Sequence, residues 1–123
     1  MNLLAIGIGG AAGAVMRYLL SGWVYGLAGR GFPWGTLAVN VLGSLAMGLL
    51  YVLLLERAML GPEWRAGLQV GLLGALTTFS TFSIETLMLV EEGEPLRALA
   101  NVAASVVLCL AATWIGVNLG RQL

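Results

Sequence analysis

The stretch Gly71-Leu72-Leu73-Gly74-Ala75-Leu76-Thr77-Thr78-Phe79-Ser80-Thr81-Phe82-Ser83-Ile84-Glu85 carries no charge until its last residue. It lies in an uncharged run over residues 66–84, which at about 1.5 Å per residue crosses most of an apolar bilayer core about 30 Å thick. Yet five hydroxyl residues crowd positions 77–83, in the middle of that run. Two readings are open. Hydroxyls bond back to carbonyls of their own helix, and a Gly/Ser/Thr-rich face suits close helix packing. Alternatively, the glycines and hydroxyls let the helix break within the membrane. A break frees backbone N–H and C=O groups that a cavity, a neighbouring helix or an ion must satisfy.

The flanking sequence repeats the apolar pattern. Residues 31–55 and 98–120 are uncharged, and residues 1–29 are interrupted only by Arg17. Hydrophobic residues make up 59% of the chain and charged residues 10%, against about 25% charged in soluble domains, so lipid is the natural solvent. Four spans are predicted near 3–27, 35–55, 66–90 and 96–119, within one domain covering 1–123, and the fold class is an all-α membrane protein. Pro33, Pro62 and Pro95 fall at helix starts, where a missing N–H does little harm. The first apolar stretch lacks a basic leading segment and is read as a retained span, not a cleaved signal.

The charges exclude several functions. All six cations are arginine and all six anions glutamate, with net charge zero and no basic cluster, which argues against nucleic acid as a partner. The single cysteine, Cys109, forms no intrachain disulfide, and without histidine it builds no Cys/His metal site. There is no nucleophile–base pair to suggest an enzyme, and no phosphate-binding glycine–lysine loop.

Four spans joined by three short loops put both termini on one side. That side holds Arg57, Arg65 and Arg121, while the other holds Arg30 and Arg97. Orientation follows the arginine and lysine difference between sides, and three against two is almost no instruction. Insertion in both orientations is one reading; the other is that a single extra arginine and the terminal amine suffice. Two inverted copies would supply the pseudo-symmetry that larger transporters obtain from inverted repeats.

Each polar candidate has a plain alternative. Phe79 and Phe82 share a helix face; their positive ring edges favour a small anion if they line a pore, and otherwise they pack. Asn40 is the only amide in the second span, able to donate to a ligand or simply to bridge helices. Arg17 either draws anions into a vestibule or snorkels to headgroups. Glu85 is a proton carrier, or an interfacial or paired carboxylate. Asn101, Ser105, Cys109 and Thr113 recur every four residues, a stripe that lines an ion path or forms a packing seam.

The motifs Gly9-Gly10-Ala11-Ala12-Gly13-Ala14-Val15-Met16-Arg17-Tyr18, Pro33-Trp34-Gly35-Thr36-Leu37-Ala38-Val39-Asn40-Val41-Leu42-Gly43 and the opening stretch, with its Thr-Thr-Phe-Ser-Thr-Phe run, resemble those of the Fluc fluoride channels, also called the CrcB family. The likeness extends over essentially the whole chain. It implies an antiparallel, dual-topology homodimer with two pores in the bacterial cell membrane, exporting fluoride passively and so protecting the cell from its toxicity. By the same resemblance, the third helix is broken at mid-membrane and a structural sodium ion sits at the dimer centre, held by the backbone carbonyls of Gly74 and Thr77. Phe79 and Phe82 match the pore phenylalanines, Asn40 the pore asparagine, Ser80 and Thr81 the hydroxyls beside them, Ser105 a serine of the fourth-span polar track, and Arg17 the arginine of the first span. The chain departs from the family pattern at Asn101, where a tyrosine is frequent, and at Cys109, where a serine is. The competing class is a small dual-topology drug/proton antiporter, which needs a membrane carboxylate, typically in the first span; here Glu85 in the third is the only candidate.

Overall fold

The computed structural model describes residues 2–123. They form α1 (Asn2–Ala28), α2 (Trp34–Glu56), α3 (residues 62–76), α4 (Phe79–Glu91) and α5 (Pro95–Gln122). No strand occurs among the described residues. The last turns of α2, Tyr51–Glu56, and the middle of α3, Ala66–Leu73, widen to π-helical register. Four stretches are long and apolar enough to cross a membrane, α3 and α4 together making the third.

Local chemistry sets the ends. Pro62 and Pro95 open their helices, and Pro33 directly precedes α2. Gly29, at φ +81°, ends α1 in the left-handed conformation, its N–H on the Tyr25 carbonyl at 2.8 Å. Gly93, at φ +79°, closes α4 through Glu94 N–H to Leu89 O and Gly93 N–H to Val90 O.

The helices pair as α1 on α3 and α2 on α5. In lipid no hydrophobic drive holds helices together, so small residues that bring backbones close do it instead. A side chain at Gly9 would meet the Gly67 carbonyl, one at Gly13 the Leu72 carbonyl, and one at Gly116 the Leu45 carbonyl. Gly116→Ala therefore forces α2 and α5 apart and is expected to cost about 1–3 kcal/mol, as overpacking does. Thermal unfolding in detergent checks this: the midpoint falls, whereas Gly22→Ala, with nothing within 4 Å of its added carbon, leaves it in place.

Polar clamps tie the bundle at both ends. Arg57 donates to the carbonyls of Leu123 (2.7 Å) and Arg121 (3.1 Å), and Arg121 pairs with Glu56 at 2.9 Å. At the opposite end Arg97 donates to the Gly31 carbonyl at 3.0 Å. The C-terminus thus lies at the end of the second loop, and so does the start of α1, where Ala5 packs against Gly67 of α3.

Little of the apolar surface is hidden within one chain. Between 6% and 33% of each apolar window is buried, so lipid or a second chain must cover the rest. Exposed Trp23 and Trp34 lie toward the first loop and exposed Trp64 and Trp114 toward the second, the placing expected of two interfacial aromatic belts. The buried cluster Val39, Leu73 and Leu76 sits where α2 meets the end of α3 and braces the functional region.

Candidate functional site

The third span is not one continuous helix. It stops at Leu76; Thr77 (φ −84°, ψ 153°) and Thr78 (φ −149°, ψ 121°) are extended, and helix resumes at Phe79. In an unbroken helix the N–H groups of residues 78–81 would bond the carbonyls of residues 74–77. Side chains replace part of that set. Thr78 N–H donates to Asn40 Oδ1 at 2.8 Å, and Asn40 Nδ2 donates back to the Thr78 carbonyl at 3.1 Å. The amide thereby pairs both backbone groups of one extended residue. Thr81 N–H donates to Thr78 Oγ1 at 3.1 Å, making Thr78 the cap of α4. Arg17 Nε donates to the Ala75 carbonyl at 3.0 Å.

Of these eight groups, the carbonyls of Gly74, Leu76 and Thr77 and the N–H groups of Phe79 and Ser80 find no side-chain partner and no backbone partner across the break among the described residues. Unpaired backbone groups are costly in lipid, so a ligand, water or a second chain is expected to meet them.

Beside the junction lies a cavity of about 460 Å³. Asn40 and Ser44 of α2, Thr77 and Thr78 of the junction, Phe79 and Phe82 of α4, and Ser105, Cys109 and Thr113 of α5 line it. The Phe79 and Phe82 ring centroids are 5.3 Å apart, tilted by 45°. Phe79 is 78% exposed, so one side of the cavity is open in the single chain. No charged side chain lies on its wall.

Four of the site residues expected from sequence, Asn40, Phe79, Phe82 and Ser105, come together on this cavity, and Thr77 also reaches it. Ser80 and Thr81 do not; their hydroxyls cluster with Thr78 Oγ1 at 3.2 and 3.1 Å. Arg17 and Gly74 also lie off the wall. Ser105, Cys109 and Thr113 line the cavity together, whereas Asn101 is 2% exposed and donates to Thr86 Oγ1 at 2.8 Å. Its amide finds a partner on α4, which takes it out of the stripe. Glu85 lies elsewhere, accepting from the Tyr25 hydroxyl at 2.6 Å, with its second oxygen buried and unpartnered.

Sequence reasoning did not single out Thr78, the residue that the junction turns on. Its signal is a threonine followed three residues later by a polar residue at the start of an apolar helix, an N-cap pattern hidden by four neighbouring hydroxyls.

Four apolar spans, the third interrupted beside an uncharged and largely apolar cavity that carries an amide and several hydroxyls, define a multi-pass helical membrane protein. A family model described as CrcB-like protein, Camphor Resistance (CrcB), matches residues 4–117, and the chain belongs to that family of the cell membrane. Over 122 residues it is 55% identical to the fluoride-specific ion channel FluC of Geobacter sulfurreducens, covering 99% of this chain and 98% of that one. It is 51% identical to the protein of the same name from Geobacter metallireducens, covering 100% and 99%. A third so named, from Methylococcus capsulatus, is 56% identical over the whole of this chain, which spans only 54% of that longer protein.

Proposed function

We propose that the chain is a fluoride channel, conducting the ion passively out of the cell and so limiting its toxicity. The observation that carries this reading is the cavity itself, where an amide, three hydroxyl-bearing walls and two aromatic rings converge without any fixed charge. Fluoride is small and strongly hydrated, so a selective path must replace its water with closely aimed donors. Asn40 Nδ2 commits one proton to Thr78 and has a second to offer. The hydroxyls of Ser105 and Ser44 add donors, and the positive edges of Phe79 and Phe82 add weaker attraction. No catalytic step is needed, and the ion gradient with the membrane potential drives the flow.

The conducting unit in this reading is an antiparallel homodimer with two pores, the third span broken at mid-membrane. Three things support it: the near-even arginine count, the open side of the cavity at Phe79, and the junction's place, at residues 77–78, halfway along the 30-residue span Pro62–Glu91. A second chain would complete each wall.

A structural sodium ion at the dimer centre fits the same geometry. The carbonyls of Gly74 and Thr77 both find no partner across the break, and carbonyl oxygens suit a hard cation. No cluster of histidine, cysteine and carboxylate competes as a metal site among the described residues. When bound, the ion neutralises freed carbonyl dipoles; it is held and not transported. Replacing sodium with N-methylglucamine in the buffer is expected to speed subunit dissociation in detergent, followed by crosslinking over time. Dissociation indifferent to sodium would remove the ion from this account.

The functional reading is tested by fluoride efflux from proteoliposomes, followed with an ion-selective electrode and no proton gradient. Efflux is expected. Transport that appears only with a pH gradient would favour the antiporter, whose one candidate carboxylate, Glu85, lies off the cavity and engaged with Tyr25.

A further inference from the structure

Five hydroxyls of this chain share a habit. Ser21, Thr77, Ser83, Thr86 and Thr113 each donate to the carbonyl four residues earlier, at 2.6, 2.9, 2.8, 2.7 and 3.0 Å. A hydroxyl engaged in this way has spent its only proton on its own backbone. Ser105 is different. Its Oγ approaches not the carbonyl of residue 101 but the side-chain Oδ1 of Asn101, at 3.5 Å. That distance is at the outer limit of a hydrogen bond, so little is lost when the proton turns elsewhere.

The orientation of the Asn101 amide is set from the other side. Thr86 commits its proton to the Phe82 carbonyl at 2.7 Å and can therefore only accept from Asn101. The NH2 end of the amide must face Thr86, at 2.8 Å, and the oxygen end must face Ser105. The amide is 2% exposed and cannot exchange these partners for water. Hydrogen bonds thus run in one direction from Ser105 on the cavity wall, through Asn101 and Thr86, to the backbone of Phe82 on the same wall.

We propose that Asn101 is a positioning residue for permeation: its amide draws the Ser105 hydroxyl away from its own helix backbone and keeps it loosely held, ready to donate to a fluoride ion in the cavity. This rests on the fluoride reading above. Asn101 itself does not line the cavity and touches no ion; it acts through Ser105. Without its oxygen, Ser105 falls back to the carbonyl of residue 101, as Thr113 does to that of Cys109, and the cavity loses a donor. Recovering that donor then requires breaking a well-formed bond, which on the scale of a net hydrogen bond is about a fivefold penalty in rate.

The test is a double-mutant cycle on fluoride efflux from proteoliposomes, with wild type, Asn101→Leu, Ser105→Ala and the double variant. Asn101→Leu is expected to slow efflux about fivefold. In the Ser105→Ala background it is expected to have no further effect, because its one route of action is gone. Thr86→Val, which keeps the side-chain shape while releasing the amide orientation, is expected to behave likewise: slower alone, silent with Ser105→Ala. It also carries the test if Asn101→Leu does not assemble. Effects that multiply in either double variant would overturn the proposal, since a purely structural role slows efflux whether or not Ser105 has a hydroxyl. If the wild type passes no fluoride, the functional reading falls and this inference with it; multiplying effects with normal wild-type efflux sink only the positioning role.

Discussion

Asn40→Asp is expected to reduce fluoride efflux by at least about 100-fold while the protein still assembles, and the reason lies in the two bonds of that side chain. The oxygen that accepts from Thr78 N–H survives the change. The Nδ2 group that donates to the Thr78 carbonyl does not, so an acceptor then faces an acceptor. Leaving a buried group unsatisfied costs about 1–3 kcal/mol, and the second donor proton on the cavity side disappears as well. If the new carboxyl ionises, a fixed negative charge stands on the wall of an anion path. At about 4 Å and an effective dielectric near 20 it repels a passing anion by about 4 kcal/mol. Proteoliposome efflux measures the rate, and gel filtration with circular dichroism shows whether the helices and the assembly persist. Wild-type efflux from this variant would take Asn40 out of the conduction path.

Phe82→Ile is expected to be the second large loss, about tenfold or more. Isoleucine keeps the apolar bulk on the cavity wall but has no ring. It removes the tilted contact with Phe79 at 5.3 Å together with the positive ring edge available to an anion. Interactions of this type are worth about 0.5–1.5 kcal/mol each, whereas the change in burial is small. Efflux is again the measure, paired with gel filtration to show that assembly is unaffected. A variant that conducts normally would make the two rings packing residues and return the selectivity to the amide and hydroxyls alone.

The four spans were legible in the sequence because lipid imposes a coarse rule: about 20 apolar residues without charge, punctuated by proline, glycine and charge. Residues 31–55 and 98–120 satisfy it almost without ambiguity. The glycines and hydroxyls around residues 71–83 also marked where a helix was free to stop, since a run of this composition in a charge-free interval needs a reason. They did not say at which residue. Thr77, Thr78, Ser80, Thr81 and Ser83 look interchangeable in one dimension, and the Asn40 clamp is what picks out Thr78, whose N–H and carbonyl it pairs at the break. That clamp joins positions 38 residues apart, a separation no local pattern reaches.

Arg17 and Asn101 show the same boundary from the other direction. By type and spacing Arg17 read as a vestibule or a snorkelling residue, and Asn101 as part of an ion-path stripe or a packing seam. The fold gives each a protein partner off the cavity wall: the Ala75 carbonyl for Arg17 and Thr86 for Asn101. A four-residue repeat puts Asn101 near Ser105 along the helix axis, but the stripe drifts around the helix, and by Asn101 it faces α4.

The sequence by itself determined that this chain lives in lipid, how many times it crosses, and which hydroxyls, rings and amide were available, since hydrophobicity and residue type are written locally. Only the tertiary structure decided which of those groups share a cavity and which are spent on one another. A hydrogen-bonding group in an apolar medium goes to whichever partner the packing brings within reach, and that partner can lie anywhere along the chain.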